Sequence, residues 1–323
     1  MHRSQSDMFL SLDGLVLGSH PYRKFEQVLD FSALCEGLEV LYSDKGRPDL
    51  GLERSFRMLL LQFLEDVSDR EMERFMQENL AAKWFCGFSL SDKTPDHSFF
   101  GSFRKRLGTK RMMDIFTRVR ESLKSAGLIR EVFTFVDASA LVSKLSTWDD
   151  RDQAVKRGLE TFNNKTAAKV EADKQARFGS KGKNKIWYGY KEHTSVDMQS
   201  GLINKVAATP ANVDDAKGLA HVCPRQGAVY ADEGYRTAPA QRELKRRNCH
   251  SAAIKKNNMK GKDRDKDRWL SRIRAPYERV FSKRSKRVRY KGQDKAQFQV
   301  AMNGLCHNLK RLVALGIEKV PII

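Results

Sequence analysis

The stretch Phe133–Ser139, with the sequence FTFVDAS, decides the fold of this chain. Its aromatic and β-branched residues predict a buried strand, and Asp137 follows the apolar run. The stretch Val229–Tyr235, with the sequence VYADEGY, has the same form and ends its strand at Asp232. Carboxylates at the ends of buried strands are well placed to bind divalent metal ions. The two stretches together therefore predict a sheet with a metal site at one edge.

A third stretch, Arg274–Phe281 with the sequence RAPYERVF, predicts a helix. Arg274 and Glu278 are four residues apart, so they lie one turn apart on one helix face. Each carboxylate also has a structural interpretation, because Asp137 and Asp232 are common turn-capping residues and Glu278 can form a surface ion pair. Their order in three distinctive contexts favours one shared catalytic site.

The composition indicates the class of partner. The chain has 323 residues, with 60 Lys and Arg against 40 Asp and Glu, and a formal net charge of +20. This charge favours a polyanion such as nucleic acid, although a ribosome-associated protein or a merely basic enzyme has a similar balance.

The five cysteines form no CxxC pair, which argues against a zinc site and a disulfide framework. No apolar run is long enough for a membrane span and no signal peptide is visible, so we expect no membrane partner.

Residues 1–128 predict an all-helical module, in which a capping-box pattern begins at Ser68. Its short helices and the basic residues Arg104, Lys105 and Arg106 suit DNA binding. A helical packing or dimerisation module fits the same pattern, and both interpretations stay open.

Residues 129–323 predict a second domain with a different pattern. The order is three strands, a helix, a strand, a helix, a strand and a helix, which matches a ribonuclease-H-like α/β fold. We expect a mixed five-stranded sheet with flanking helices. We also expect a mobile or partly helical basic insertion at about 143–185, where apolar residues are few. If the first and fourth strands are adjacent, Asp137 and Asp232 meet at one edge of the sheet.

Several motifs resemble a DDE transposase of a bacterial insertion sequence, in the insertion-sequence-five group of the insertion-sequence-four superfamily. The resemblance spans nearly the whole chain and is carried by Lys83–Phe88, Thr94–Ser98, Phe103–Leu107, Val136–Ser139, Trp187–His193, Thr209–Asp215, Tyr230–Tyr235 and the pair Arg274 and Glu278.

The third motif of this superfamily reads tyrosine, two residues, arginine, three residues, glutamate, six residues, lysine. Here Ser271 stands at the tyrosine position and Ser285 at the lysine position. Lys283 and Lys286 are close neighbours that can take the place of the lysine. The carboxylate triad is unaffected by these departures.

The resemblance implies a metal-dependent DNA transposase that binds the terminal inverted repeats of its element. It implies cleavage at the element ends, followed by attack of the freed 3′-hydroxyl on target DNA. Asp137, Asp232 and Glu278 would hold two Mg²⁺ ions, for which Mn²⁺ can substitute. Double-stranded DNA and a second copy of the chain, in a homodimer or higher oligomer on DNA, would be the partners. A bacterial, cytoplasmic and nucleoid-associated protein is the expectation. A catalytically dead DNA-binding regulator and a ribonuclease-H-like nuclease are the alternatives.

Further basic residues flank the predicted catalytic helix, and they are typical of phosphate contacts. The predicted DNA-binding residues are Arg274, Arg279, Lys283, Lys286, Arg287, Arg289, Arg104, Lys105 and Arg106. His193 is either a ligand of a metal or phosphate or a structural histidine. Tyr290 either stacks on an unpaired base or packs in the core. Asp214 is more typical of a helix start than of a metal ligand.

Overall fold

The structure of the chain, a computed structural model, describes residues 11–38, 41, 50–144, 164–181, 185–282 and 285–322. The chain divides into two compact units, Met1–Ser122 with Leu309–Ile323, and Leu123–Asn308. No helix in the described ranges is long and apolar enough to cross a membrane.

The first part of the chain is helical, as the sequence predicts. Its helices are α1 (Leu12–Leu15), α2 (Pro21–Val28), α3 (Phe31–Cys35), α4 (Leu52–Leu64), α5 (Asp69–Glu78), α6 (Leu80–Phe85) and α7 (His97–Ser125). The capping box at the start of α5 is present, because the Ser68 hydroxyl accepts from the Glu71 N–H and the Glu71 carboxylate accepts from the Ser68 N–H. Gly108, with φ of 67°, interrupts α7. The prediction of a helical N-terminal region is confirmed.

The rest of the chain is built on one sheet. Its strands are β1 (Phe133–Val142), β2 (Arg177–Lys181), β3 (Lys185–Asp197), β4 (Ile203–Pro210), β5 (Gly227–Ala231) and β6 (Cys249–Ala253). The helices that follow α7 are α8 (Asn164–Val170), α9 (Asp215–Val222), α10 (Ala238–Arg246), α11 (Arg264–Ser282) and α12 (Gln293–Ala314). A short 3₁₀ turn at Glu233–Tyr235 follows β5.

The strand pairing is that of a ribonuclease-H-like fold. The long strand β3 pairs antiparallel with β1, β2 and β4, whereas β1, β5 and β6 pair in parallel. Helices α9 and α10 contribute Leu219, Val222, Ala240 and Leu244 to the core cluster that includes residues of β1, β5 and β6. The predicted α/β fold is confirmed. The strands of Asp137 and Asp232 are adjacent, which is the condition for the two carboxylates to meet.

The sheet has six strands in the described residues, so the prediction of five was wrong. The additional strand, β2, lies in the 143–185 region that was predicted as a mobile or partly helical insertion. Within that region α8 is helical, and residues 145–163 and 182–184 lie outside the described residues. The strand escaped prediction because it carries only one large apolar residue, Phe178, which packs on the ring of Tyr188.

Buried hydrogen bonds anchor this region in place of an apolar stripe. Asp173 is buried and accepts a hydrogen bond from the Tyr190 hydroxyl at 2.8 Å, and its backbone carbonyl accepts from the Tyr188 hydroxyl at 2.6 Å. A polar anchor of this kind leaves no hydrophobic periodicity to detect. Tyr188 and Tyr190 are both fully buried and form part of the strand core.

Candidate active site

The register between β1 and β5 places Asp137 beside Asp232. The paired residues Phe133 and Ala228, and likewise Phe135 and Tyr230, are separated by 95 positions (228 − 133 and 230 − 135). Asp137 and Asp232 have the same separation (232 − 137), so they occupy matching positions two residues beyond the last pair. Neighbouring strands lie about 5 Å apart, so the two carboxylates are neighbours at the point where β5 ends. The strand β1 continues past Asp137 to Val142, so Asp137 lies within its strand and not at the strand end that the sequence predicts.

Asp137 carries the marks of a buried carboxylate among other charges. Burial raises its pKa to about 6, while the charge of Lys181 and the Ala138 N–H lower it and the charges of Asp232 and Asp215 raise it. Its Oδ1 accepts the Ala138 N–H at 2.8 Å. The Asp232 Oδ1 accepts the Gly234 N–H at 2.9 Å and so begins the 3₁₀ turn. One oxygen of each carboxylate is therefore held by the backbone.

Glu278 comes from α11 and lines the same cleft as Asp137. The cleft has a volume of about 380 Å³. Its lining residues with charged side chains are Asp137, Lys181, Lys191, Asp215, Glu278 and Lys286. Asp232 does not line the cleft itself, but it lies beside Asp137, which does. The structure thus brings two of the three predicted carboxylates into one cleft and puts the third next to it.

Arg274 lies between the Glu278 carboxylate and the Phe135 ring. Its side chain is 11% exposed, and its Nη2 donates to the Glu278 Oε1 at 2.9 Å. Its guanidinium lies 5.9 Å from the centre of the Phe135 ring. The Nε and Nη1 atoms are buried and have no hydrogen-bond partner among the described residues. Buried donors of this kind normally have partners, so these two N–H groups are unsatisfied in the described part of this structure.

The donor set fits a divalent metal ion, because carboxylate oxygens are the ligands that Mg²⁺ prefers. Within the described ranges, no three His, Cys, Asp or Glu side chains already have the arrangement needed to hold a metal. Of the three carboxylates, Glu278 is 51% exposed and is bonded to Arg274. The carboxylates therefore fit a divalent metal ion by their chemistry, and backbone N–H groups hold one oxygen each of Asp137 and Asp232.

The basic segment after α11 is attached to the end of β1. The Val142 N–H donates to the Lys286 carbonyl at 2.6 Å, and the Val288 N–H donates to the Val142 carbonyl at 2.9 Å. This attachment brings Lys286 to the cleft, whereas Arg287 is exposed and Arg289 is half-buried. The Arg279 side chain and the whole of Lys283 lie outside the described residues.

The predicted DNA contacts of the helical region have different surroundings. Arg104 forms a two-pronged ion pair with Asp69, with distances of 2.6 and 2.8 Å, so its guanidinium is already bound by the fold. Lys105 and Arg106 are exposed on α7. The fold holds the Arg104 guanidinium in this arrangement, and DNA contact stays a prediction for Arg104, Lys105 and Arg106.

His193 has the environment of a structural histidine. It is fully buried, its Nε2 lies 2.8 Å from the Thr209 hydroxyl, and burial lowers its pKa to about 4. Its ring packs so closely on Gly218 that a Cβ there would lie 2.1 Å from the His193 Cε1. Tyr290 is half-buried, and its stacking on a base stays a prediction.

Sequence reasoning missed Lys191 and Asp215, which line the cleft as an ion pair with a distance of 2.8 Å between Nζ and Oδ1. Asp214 is the N-cap residue of α9, in line with its interpretation as a helix start. Both residues lie in stretches that carry the family resemblance, Trp187–His193 and Thr209–Asp215, but Asp215 by itself fits an ordinary helix-start pattern.

Two protein families match the sequence of this chain. The family described as "Transposase domain (DUF772)" matches residues 10–106, and the family described as "Transposase DDE domain" matches residues 150–309. A cryo-EM structure of the piggyBac transposase synaptic complex with hairpin DNA is similar at 9% identity and a TM-score of 0.42, over 93% of this chain and 74% of that chain. The fold assignment rests on the strand pairing and not on this likeness. The two family matches together establish that the chain belongs to the DDE transposases of the insertion-sequence-four-like kind, which are metal-dependent, DNA-cleaving enzymes.

Proposed function

We propose that this chain is the transposase of a bacterial insertion sequence of the insertion-sequence-five group. It binds the terminal inverted repeats of its element, cleaves at the element ends and transfers the freed strand to target DNA. The observation that carries the proposal is the β1–β5 register, which sets Asp137 beside Asp232 next to a lysine-lined cleft that also holds Glu278.

Asp137, Asp232 and Glu278 are the proposed ligands of the catalytic metal, with Mg²⁺ as the ion and Mn²⁺ as its substitute. When bound, a pair of such ions supplies Lewis acidity to the attacking and leaving oxygens of phosphoryl transfer. The chain contributes the two carboxylates that the backbone already orients, and a third that is half-exposed on α11. Release of Glu278 from Arg274 frees its Oε1 for this role.

Arg274 is the proposed phosphate-binding residue. Its Nε and Nη1 have no hydrogen-bond partner among the described residues, and a guanidinium binds phosphate oxygens with parallel N–H groups. The same movement that releases Glu278 also frees the Arg274 Nη2. DNA binding and completion of the carboxylate triad would then be coupled through this one ion pair.

Lysines on the other walls of the cleft are the proposed backbone contacts. Lys286, one position from Ser285, lines the cleft together with Lys181. Either is placed to supply the positive charge of the lysine that Ser285 replaces. Arg287 and Arg289, in the same segment, continue the basic surface along the DNA.

The division of labour follows the two regions of the chain. Residues 1–128 are the proposed DNA-binding or dimerisation module, and residues 129–323 are the proposed catalytic domain. Bringing two element ends together requires a homodimer or higher oligomer on DNA. A cytoplasmic, nucleoid-associated location in a bacterium follows from the same proposal.

The test compares the wild type with Asp137→Asn, Asp232→Asn and Glu278→Gln on element-end DNA with Mg²⁺ or Mn²⁺. Each substitution should lower cleavage and strand transfer by about a hundredfold or more, because it removes a charge that acts on the transition state. Asp265→Asn is the matched control, since Asp265 is an exposed carboxylate on the same helix as Glu278.

The outcomes separate the proposal from its alternatives. If all three variants cleave like the wild type and the Asp265 variant, the assignment of the triad is wrong. Binding of the ends without cleavage by the wild type would indicate a regulator. Cleavage without joining would indicate a nuclease.

A further inference from the structure

A fourth carboxylate, Asp215, faces the cleft that holds Asp137 and Glu278. It lies in the first turn of α9, and its Oδ1 accepts a hydrogen bond from the Lys191 Nζ at 2.8 Å. The side chains of Lys191 and Asp215 are 12% and 23% exposed, so this ion pair is largely removed from water. A pair in such a place acts on its neighbours more strongly than a surface pair does.

The backbone fixes the position of the Lys191 ammonium group. Its Nζ also donates to the Val213 carbonyl at 2.8 Å, in the loop between β4 and α9. Lys191 itself lies on β3, where it pairs with Ala140 of β1, three residues beyond Asp137. The positive charge is therefore held between two strands and a loop at the wall of the cleft.

Tyr235 shows that Asp215 shares an electrostatic environment with the catalytic pair. Its hydroxyl is buried without a hydrogen-bond partner among the described residues. The charges of Asp215, Asp137 and Asp232 add to burial in raising the pKa of this hydroxyl. Asp215 therefore shares the electrostatic environment of Asp137 and Asp232, in keeping with its place beside Asp137 in the lining of the cleft.

We propose that the Lys191–Asp215 ion pair is a positioning pair that sets the charge of the catalytic cleft. Intact, the pair adds no net charge beside Asp137, and the cleft can accept a divalent cation and an anionic DNA strand together. Loss of the Asp215 charge leaves an unpaired cation that repels the metal and attracts phosphate. Loss of the Lys191 charge leaves an unpaired anion with the opposite effects. The inference rests on the proposed site at Asp137.

The test is a double-mutant cycle of Lys191→Met, Asp215→Asn and the double variant. Calorimetry measures Mn²⁺ binding to the DNA-free protein, and fluorescence anisotropy measures binding of element-end DNA in EDTA. Lys191→Met should tighten Mn²⁺ binding and weaken DNA binding, each by about three- to tenfold. Asp215→Asn should shift both in the reverse directions, and the double variant should return to within about twofold of the wild type.

Two sets of controls separate charge from folding. Lys191→Arg and Asp215→Glu retain the charges and should leave both affinities within about twofold of the wild type. Glu243→Gln breaks an ion-paired carboxylate on α10, which does not line the cleft, and should leave both affinities unchanged. Thermal melts of all variants identify any that fail to fold.

A merely structural ion pair would not shift the affinities for Mn²⁺ and for DNA in opposite directions. If both single variants weaken Mn²⁺ and DNA binding together, or change neither, the inference is overturned. Failure of the proposed function is a different result, namely Asp137→Asn retaining both Mn²⁺ binding and cleavage.

Discussion

Arg104 and Arg274 are similar arginines in different regions of the molecule, and each faces a carboxylate. Their side chains are 13% and 11% exposed. Arg104 has both ends of its fork bonded to Asp69 and a further bond to Gln62. Arg274 has a single bond to the half-exposed Glu278 and two buried donor atoms without partners among the described residues. The first arginine completes a packed fold, whereas the second keeps two unsatisfied donors that the proposed phosphate contact would satisfy.

Of the substitutions at these two arginines, Arg274→Gln should have the largest effect, and that effect should be on the rate of DNA cleavage. The change removes the charge and the open N–H groups that would bind a phosphate, so cleavage of element-end DNA should fall by about 30- to 100-fold. The free energy of unfolding, measured in urea, should change by less than about 1 kcal/mol, because the lost ion pair has an exposed partner.

Arg274→Lys is the sharper variant, since it keeps the charge and loses the planar fork. It should recover only part of the lost rate. A large loss of stability with an unchanged rate per folded molecule would show that Arg274 is a structural residue like Arg104.

Arg104→Gln should have the reverse pattern. It leaves Asp69 without its two-pronged partner, so the free energy of unfolding should fall by about 2–4 kcal/mol. Cleavage and DNA affinity per folded molecule should not change. Unchanged stability with weaker DNA binding would restore the sequence-based prediction that Arg104 contacts DNA.

His193 makes the stability of the fold depend on pH, because the folded protein buries this residue in its neutral form. Its pKa is about 4 in the folded protein, against 6.5 for an unburied histidine. Between these values the unfolded chain binds the proton and the folded chain does not, so stability is lost as pH falls from 6.5 toward 4. Acidification from pH 7 to pH 5 should therefore cost about 2 kcal/mol through this residue.

The measurement is urea unfolding of the wild type and His193→Gln at both pH values. The variant should lose less stability on acidification, and His250→Gln, at an exposed position, should behave like the wild type. An equal pH dependence in wild type and His193→Gln would contradict the buried, neutral state.

The sequence predicted the parts of the site that local patterns determine. Asp137 lies within β1 directly after its first apolar residues, Asp232 directly follows β5, and their separation of 95 residues equals the strand register. Glu278 and Arg274 are related by one helical turn. These relations depend on periods of the backbone, which a sequence displays directly.

The rest depends on partners that are distant in sequence. Asp69 lies 35 residues from Arg104, and Asp215 lies 24 residues from Lys191. No local pattern distinguishes an arginine that has such a partner from one that lacks it. The strand β2 was missed for a related reason, since hydrogen bonds to the buried Asp173 anchor its region.

The smallest expected effect is on stability. It distinguishes a buried tyrosine whose hydroxyl has a partner from one whose hydroxyl has none, as with the two arginines. The Tyr190 hydroxyl donates to the Asp173 Oδ1 at 2.8 Å, whereas the Tyr235 hydroxyl has no partner among the described residues. Tyr190→Phe leaves a buried carboxylate with one donor fewer and should lower the free energy of unfolding by about 1–3 kcal/mol. Tyr235→Phe removes an unsatisfied hydroxyl and should raise the free energy of unfolding of the metal-free protein by up to about 1 kcal/mol. Urea unfolding in EDTA measures both. Equal losses in the two variants would mean that the Tyr235 hydroxyl is hydrogen-bonded in solution, for instance to a buried water.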